Sequence, residues 1–115
     1  MNAILVKTDK SATVFGMSNS SELFDYYDGL FEMVVPRQLP APYCMVVDES
    51  GIDKKLHQNE FGSMLYETDK HGAPIVGDVF IMKRTLVEGS YDLEGLSNED
   101  IAVLCKKYEL IVEKS

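Results

Sequence analysis

Ile75-Val76-Gly77-Asp78-Val79-Phe80-Ile81-Met82-Lys83 is the stretch that decides the fold. Its β-branched and aromatic residues form a short continuous apolar run, too short for a helix and preceded by the loop residues His71-Gly72-Ala73-Pro74, so Val76 to Lys83 reads as the strongest strand of the chain. Gly77-Asp78 stands where that strand starts and where a side chain would crowd its neighbour. Arg84 to Val87 either extends the strand or bends away from it. Downstream, Ser97 with Asp100 three residues on caps a helix, and Ile101, Leu104, Cys105, Tyr108, Ile111 and Val112 recur at steps of three and four. That apolar stripe needs a sheet to cover.

The remaining strands lie upstream. Leu30 to Val35 and Tyr43 to Val47 are apolar, β-branched or aromatic, and they are joined through Pro36, Pro40 and Pro42, which lack backbone donors and so place the connection outside the sheet. Asp48-Glu49-Ser50-Gly51 is a turn with Gly51 available for positive φ. Phe61, Met64 and Leu65 sit at helical spacing but Gly62 weakens the segment, giving one short helix. Asn2 to Lys7 and Ala12 to Gly16 flank the polar Thr8-Asp9-Lys10-Ser11 as a β-hairpin. Asn19-Ser20-Ser21-Glu22 then caps a helix closed by Gly29, with Leu23, Phe24 and Tyr27 on its inner face. The expected fold is α+β in two layers: a mixed, largely antiparallel sheet with two main helices, about 20–28 and 98–112.

The chain of 115 residues reads as a single globular domain, 1–115, because halves of it would be too small to fold without disulfides or metals. It has no internal repeat and no interdomain linker. The formal charge is −8, which disfavours direct contact with nucleic acid or with an anionic membrane. No stretch resembles a signal peptide or a membrane span, so the expected location is cytoplasmic, with Cys44 and Cys105 as reduced, buried thiols. The acidic excess is concentrated. Residues 11 to 36 hold Glu22, Asp25, Asp28 and Glu32, and residues 85 to 105 hold Glu88, Asp92, Glu94, Glu99 and Asp100, neither segment with a Lys or Arg.

Catalytic signatures are sparse. No G-x-G occurs for a dinucleotide or phosphate loop, no G-x-S-x-G for an activated serine, no H-E-x-x-H for zinc, and a calcium loop centred on Gly95 would demand an acid where Ile101 stands. His57 and His71, with Asp48 or Glu49, are the residues that a metal-dependent hydrolase would use. Their spacing matches no ligand motif, so neither a metal nor a cofactor is assigned. Cys44 lies within an apolar strand, the wrong surroundings for a thiolate nucleophile. Tyr27, Tyr43 and Tyr108 read as core filler.

One resemblance emerges from the order of features. Tyr43-Cys44-Met45-Val46-Val47-Asp48-Glu49-Ser50-Gly51, then Leu56 and Asn59, then Ile75-Val76-Gly77-Asp78-Val79, then Asp92-Leu93-Glu94-Gly95-Leu96 ahead of an acidic-started helix, resembles a family of small proteins known mainly as a domain of unknown function. Its members resemble accessory proteins of bacterial phages, plasmids and conjugative elements. The resemblance spans roughly residues 1 to 105. It departs at Lys55-Leu56-His57-Gln58-Asn59, where relatives often carry a Pro, and in a longer insertion from Glu60 to Pro74. The family brings no activity, cofactor or catalytic residue with it.

These observations support a non-catalytic accessory protein of a mobile element that binds a host or phage protein through its acidic tracts, in counter-defence or as a nucleic-acid mimic. The second reading is a small metal-dependent hydrolase built on His57, His71 and Asp48 or Glu49. A third is a homodimeric structural module joined by an exposed strand edge or by the C-terminal helix.

Overall fold

The computed structural model describes residues 1–70 and 72–114. The decisive stretch becomes the long strand β5 (Val79–Val87) of a seven-stranded sheet, flanked by β1 (Asn2–Val6), β2 (Ala12–Gly16), β3 (Phe31–Val34), β4 (Tyr43–Asp48), β6 (Ser90–Glu94) and β7 (Val112–Lys114). The strand order is β3-β4-β5-β1-β2-β7, with β6 also paired to β5, and every pairing is antiparallel except β2 with β7. Val79 to Ile81 pair with β1 and Phe80 to Lys83 with β4. Lys83 pairs with Glu94 of β6 as well, Arg84 N still donates to Pro42 O at 2.9 Å, and beyond them Thr85 to Val87 pair with β6 alone. Arg84 to Val87 therefore extend the strand.

β6 is a strand that sequence reasoning did not foresee. It returns through Glu88 and Gly89, both at positive φ (49° and 84°), the combination that matches hairpin twist. The usual flag for such a turn is Asn-Gly or Asp-Gly, and Glu-Gly does not raise it.

Alternation along the strands sends Ile4, Val6, Met45, Val47, Val79 and Ile81 to one face, where they pack with Leu65 of α2 (Glu60–Tyr66) and Leu104 of α3 (Asn98–Tyr108). Ala3, Leu5, Cys44, Val46, Phe80 and Met82 face the other way, against Leu23 and Tyr27 of α1 (Glu22–Tyr27). The mixed α+β sheet is as expected. The helices, however, are divided between its two faces instead of sharing one layer. The reason is visible in β4 and the first half of β5, which are buried at successive positions and so present apolar side chains in both directions.

The helix boundaries also need correction. α1 spans six residues and not 20–28. Asn19 Oδ1 accepts from Ser21 N at 2.9 Å while the Glu22 carboxylate accepts from Ser18 N. Asp28, not Gly29, adopts the left-handed conformation at its end. Phe24 leaves the inner face: it is 45% exposed and rests on the Phe31 ring, with centroids 4.8 Å apart. α3 begins as expected, with reciprocal bonds between Ser97 and Asp100, but it stops at Tyr108, where Glu109 turns left-handed and Leu110 N donates to Cys105 O. Ile111 is 88% exposed and Val112 opens β7 against Ala12 of β2. The helical spacing runs on into Ile111 and Val112, yet the β-branched Val112 pairs along β2 instead, with Ile111 outside both elements.

α2 is held by Asn59, which is fully buried. Its Oδ1 accepts from Gly62 N at 2.9 Å, and its Nδ2 donates to Val6 O and Gly77 O at 3.0 and 2.9 Å. Gly62 weakens the helix but is required by space, since a Cβ there would lie 2.9 Å from Ile75 Cγ2. Gly51 likewise does not use positive φ, contrary to expectation. A Cβ at Gly51 would meet Val76 Cγ2 at 2.8 Å, and Lys55 supplies the left-handed residue of that loop.

The crowding expected at Gly77 is present. It has φ +81°, and a Cβ would approach Leu56 Cδ1 to 2.8 Å. Gly77→Ala is expected to destabilise the protein by about 1–3 kcal/mol, from a strained backbone plus displacement of Leu56. The shift of the urea midpoint at unchanged slope measures it.

Candidate functional site

The pairing of β5 with β6 determines where the second acidic tract points. Lys83 lies opposite Glu94 and Thr85 opposite Asp92, so Asp92 and Glu94 share the side of Val79 and Ile81, which is also the side of α3 and its first-turn Glu99. Glu88 occupies the hairpin turn. On the first tract, Asp25 sits on α1, across the sheet, and Asp28 caps that helix. Glu32 pairs with Val47 and thus returns to the α3 side, but on the terminal strand β3. The nine acids do not form one surface: strand alternation and the position of α1 place them on opposite faces.

Two of the nine have structural duties. The Glu22 carboxylate is engaged at the start of α1. Asp100 accepts from Ser97 N (2.8 Å) and Ser97 Oγ (2.9 Å), from Tyr43 Oη (2.8 Å), and pairs with Lys83 Nζ at 2.8 Å. The Lys83 ammonium, aided by the Ser97 amide, holds the Asp100 carboxyl well below the usual carboxylate range. Asp100 in turn raises Lys83. Burial, then the bond to Asp100, pushes the Tyr43 hydroxyl up to about 12.

A carboxyl depressed in the folded state adds stability that is present above its unfolded pKa and is lost as pH falls through the folded value. The Asp100 contribution is therefore complete above about pH 4 and disappears below it. Asp100→Asn is expected to lower the melting temperature at pH 7 and to bring the two proteins closer together on acidification from pH 5 to pH 2. A gap that stays constant over this range would contradict the assignment.

Asp25, Asp28, Glu32, Glu88, Asp92, Glu94 and Glu99 are all exposed; Glu94 lies opposite Lys83 and adds to the rise of that ammonium, and among the described residues the other six have no cationic partner. Lys10, Arg37, Lys54, Lys70 and Lys83 are instead paired with Glu60, Glu67, Asp48, Glu67 and Asp100. Beside Glu88, Asp92 and Glu94 the hairpin also exposes Leu86 (62%), Tyr91 (50%) and Val87, with the Arg84 guanidinium 4.4 Å from the Tyr91 ring centroid. Leu86 and Tyr91 stand opposite each other, on the side away from Asp92 and Glu94.

The residues of the hydrolase reading are partly assembled. A cavity of about 340 Å³ is lined by His57 and Asp48, together with Tyr26, Tyr27, Lys54 and Asp78. Asp48 is committed within it: its carboxylate binds Lys54 Nζ at 2.8 Å and Ser50 N at 2.9 Å. Asp78 accepts from Thr8 N (3.1 Å) and Tyr26 Oη (2.7 Å), and Tyr27 Oη donates to the Asp78 carbonyl (2.7 Å). Burial raises both tyrosine hydroxyls, with the neighbouring Asp78 adding to the effect. These groups serve as partners for one another. Glu49 lines a different cleft, with Glu32, Val34 and Val47, and His71 lies outside the described residues. Among the described residues no group of three or more His, Cys, Asp or Glu side chains is arranged to hold a metal ion.

The Tyr26–Tyr27–Asp78–Lys54 network escaped sequence reasoning, because its members come from segments far apart in the chain with no spacing to link them. The thiols are as expected in being free. Burial pushes Cys44 up to about 12, and Cys105 is half-buried by α3 on the opposite side of the sheet.

Comparison with family models, with curated proteins and with solved structures finds no match to this chain. Fold and site geometry carry the functional argument. No helix among the described residues is long and apolar enough to cross a membrane.

Proposed function

We propose that the protein is a non-catalytic binding protein that docks a basic partner through the β5–β6 hairpin and the start of α3. The single observation behind this reading is the projecting end of the hairpin. Among the described residues Thr85 to Asp92 pair only with each other, exposing Leu86 and Tyr91 on one face, Asp92 on the other and Val87 and Glu88 at the tip, and neither Glu88 nor Asp92 has a cationic partner. Apolar anchors on one face and uncompensated negative charge on the other and at the tip suit a partner of the opposite sign that grips the hairpin from both sides. The wider setting, a cytoplasmic accessory role in a phage or plasmid, rests on the family resemblance. Occupation of one basic groove by both acidic tracts, as a nucleic-acid mimic would require, is not favoured by their separation across the sheet.

The test is capture from a bacterial lysate by tagged protein at low and high salt, in parallel with Asp92→Lys/Glu94→Lys and Leu86→Ser/Tyr91→Ser variants. Screening shortens from about 10 Å at 0.1 M salt to about 3 Å at 1 M. A specific partner should be retained at low salt and lost both at high salt and on charge reversal. Retention through both treatments would remove the electrostatic mode. Turnover of a metabolite by the purified protein, abolished in His57→Ala, would replace the binding reading with the hydrolase one.

A further inference from the structure

β3 closes one side of the sheet, and among the described residues nothing pairs with its outer edge. Glu49 N donates to Leu30 O at 3.1 Å, and the continuous register from Phe31↔Asp48 to Val34↔Met45 then turns the backbone groups of Glu32 and Val34 toward β4 and those of Phe31 and Met33 outward. Free edges of soluble proteins are blunted by shortness, by charged side chains, Lys above all, by Pro or by a bulge, and the four-residue β3 carries one charge, Glu32. Leu30-Phe31-Glu32-Met33-Val34-Val35 has no Lys and no Pro before Pro36, and no bulge interrupts its pairing. Leu30 is 60% exposed, Val35 is exposed, and the exposed Phe24 ring lies against Phe31.

We infer that this edge accepts an added strand from a partner protein, an extended segment in which Lys or Arg alternates with apolar residues. Side chains of an added strand point alternately to the two faces. On one face they meet the cleft where Glu32 and Glu49 lie beside Val34 and Val47, which suits cations. On the other they meet Phe31 and Met33, which pack with the apolar cluster under α1, and this suits apolar side chains.

Charge argues against a second copy as the occupant. Residues 11 to 36 carry Glu22, Asp25, Asp28 and Glu32 without a single Lys or Arg, so self-pairing would bring two acidic tracts together on molecules of charge −8 each. This edge is separated from the β5–β6 hairpin by β4, and the inference stands or fails independently of the hairpin reading.

Blocked eight-residue peptides alternating valine with lysine, or valine with glutamate, test it by titration into isotope-labelled protein. The basic peptide is expected to bind and to shift the amides of Phe31 and Met33, while the acidic one does not. Glu32→Lys should weaken binding at least about tenfold. Met33→Pro, which deletes an outward donor but no bond to β4, should do the same, with thermal unfolding confirming that it folds. Equal binding of both peptides, shifts confined to residues 84–94, or indifference to Glu32→Lys would overturn the inference. Self-association abolished by Met33→Pro would also overturn it, assigning the edge to a second copy.

Discussion

Asn59→Ala is expected to lower the unfolding free energy by about 2–4 kcal/mol, because it takes this partner from the buried Gly62 N–H and Gly77 carbonyl, at about 1–3 kcal/mol each, and removes one of two donors from Val6 O, which stays paired with β5. The Asn59 side chain joins three separate pieces of the fold: the end of β1 through Val6 O, the residue leading into β5 through Gly77 O, and the start of α2 through Gly62 N. The residue is 0% exposed. Stability of the whole domain is of the order of 5–15 kcal/mol, so the loss is a large fraction of it. Asn59→Asp sharpens the test. The carboxylate keeps an acceptor for Gly62 N but sets its second oxygen against two carbonyls, so the variant should regain stability as the pH is lowered and that oxygen becomes a donor. Chemical denaturation of the three proteins at pH 7 and pH 5 checks both statements. A cost under about 1 kcal/mol for Asn59→Ala would show that the three bonds are replaceable.

Phe80→Ala should cost a similar amount, about 3–5 kcal/mol, by a different mechanism. The Phe80 ring is fully buried on the α1 face and contacts Phe15, Tyr26 and Tyr27 edge-on, at centroid distances of 5.2, 5.0 and 5.8 Å. Removing it empties the centre of an aromatic cluster whose backbone is held by sheet pairing on both sides, with Leu5 and Val46 as its neighbours across the strands, so collapse into the void is restricted. Phe80→Leu, which refills most of the volume, should cost no more than about 1–2 kcal/mol. If the two substitutions are equally damaging, ring geometry and not volume is what the site requires. The same cluster positions Tyr26 and Tyr27 against Asp78, so Phe80→Ala should also expose the tyrosine hydroxyls and lower their titration toward the normal phenol range.

Local chemistry made much of the fold legible in advance. The N-terminal hairpin, both proline-linked strands, the short helix near Phe61 and the Ser97–Asp100 cap each rest on residues close in sequence, and each is present. What escaped depended on distant partners. Phe24 has the right spacing for an inner face, but Phe31 draws its ring outward. Ile111 and Val112 continue a helical stripe, but Val112 is claimed by the free edge of β2. Asp100 reads as one more surface acid until Tyr43 and Lys83 are brought to it. His57 and Asp48 do share a cavity, yet only the fold reveals that Lys54 already neutralises Asp48.

Composition alone determined that this is an acidic chain with an α+β pattern and without a recognisable catalytic motif, since charge balance and short-range periodicity are properties of residues a few positions apart. The tertiary structure decided which carboxylates remain uncompensated, how they are divided between the two faces, and that the outer edge of β3 and the tip of the β5–β6 hairpin are left without further strands among the described residues. Those outcomes depend on pairing register and on which helix covers which face, long-range choices in which a shift of one residue would send every side chain of a strand to the opposite side.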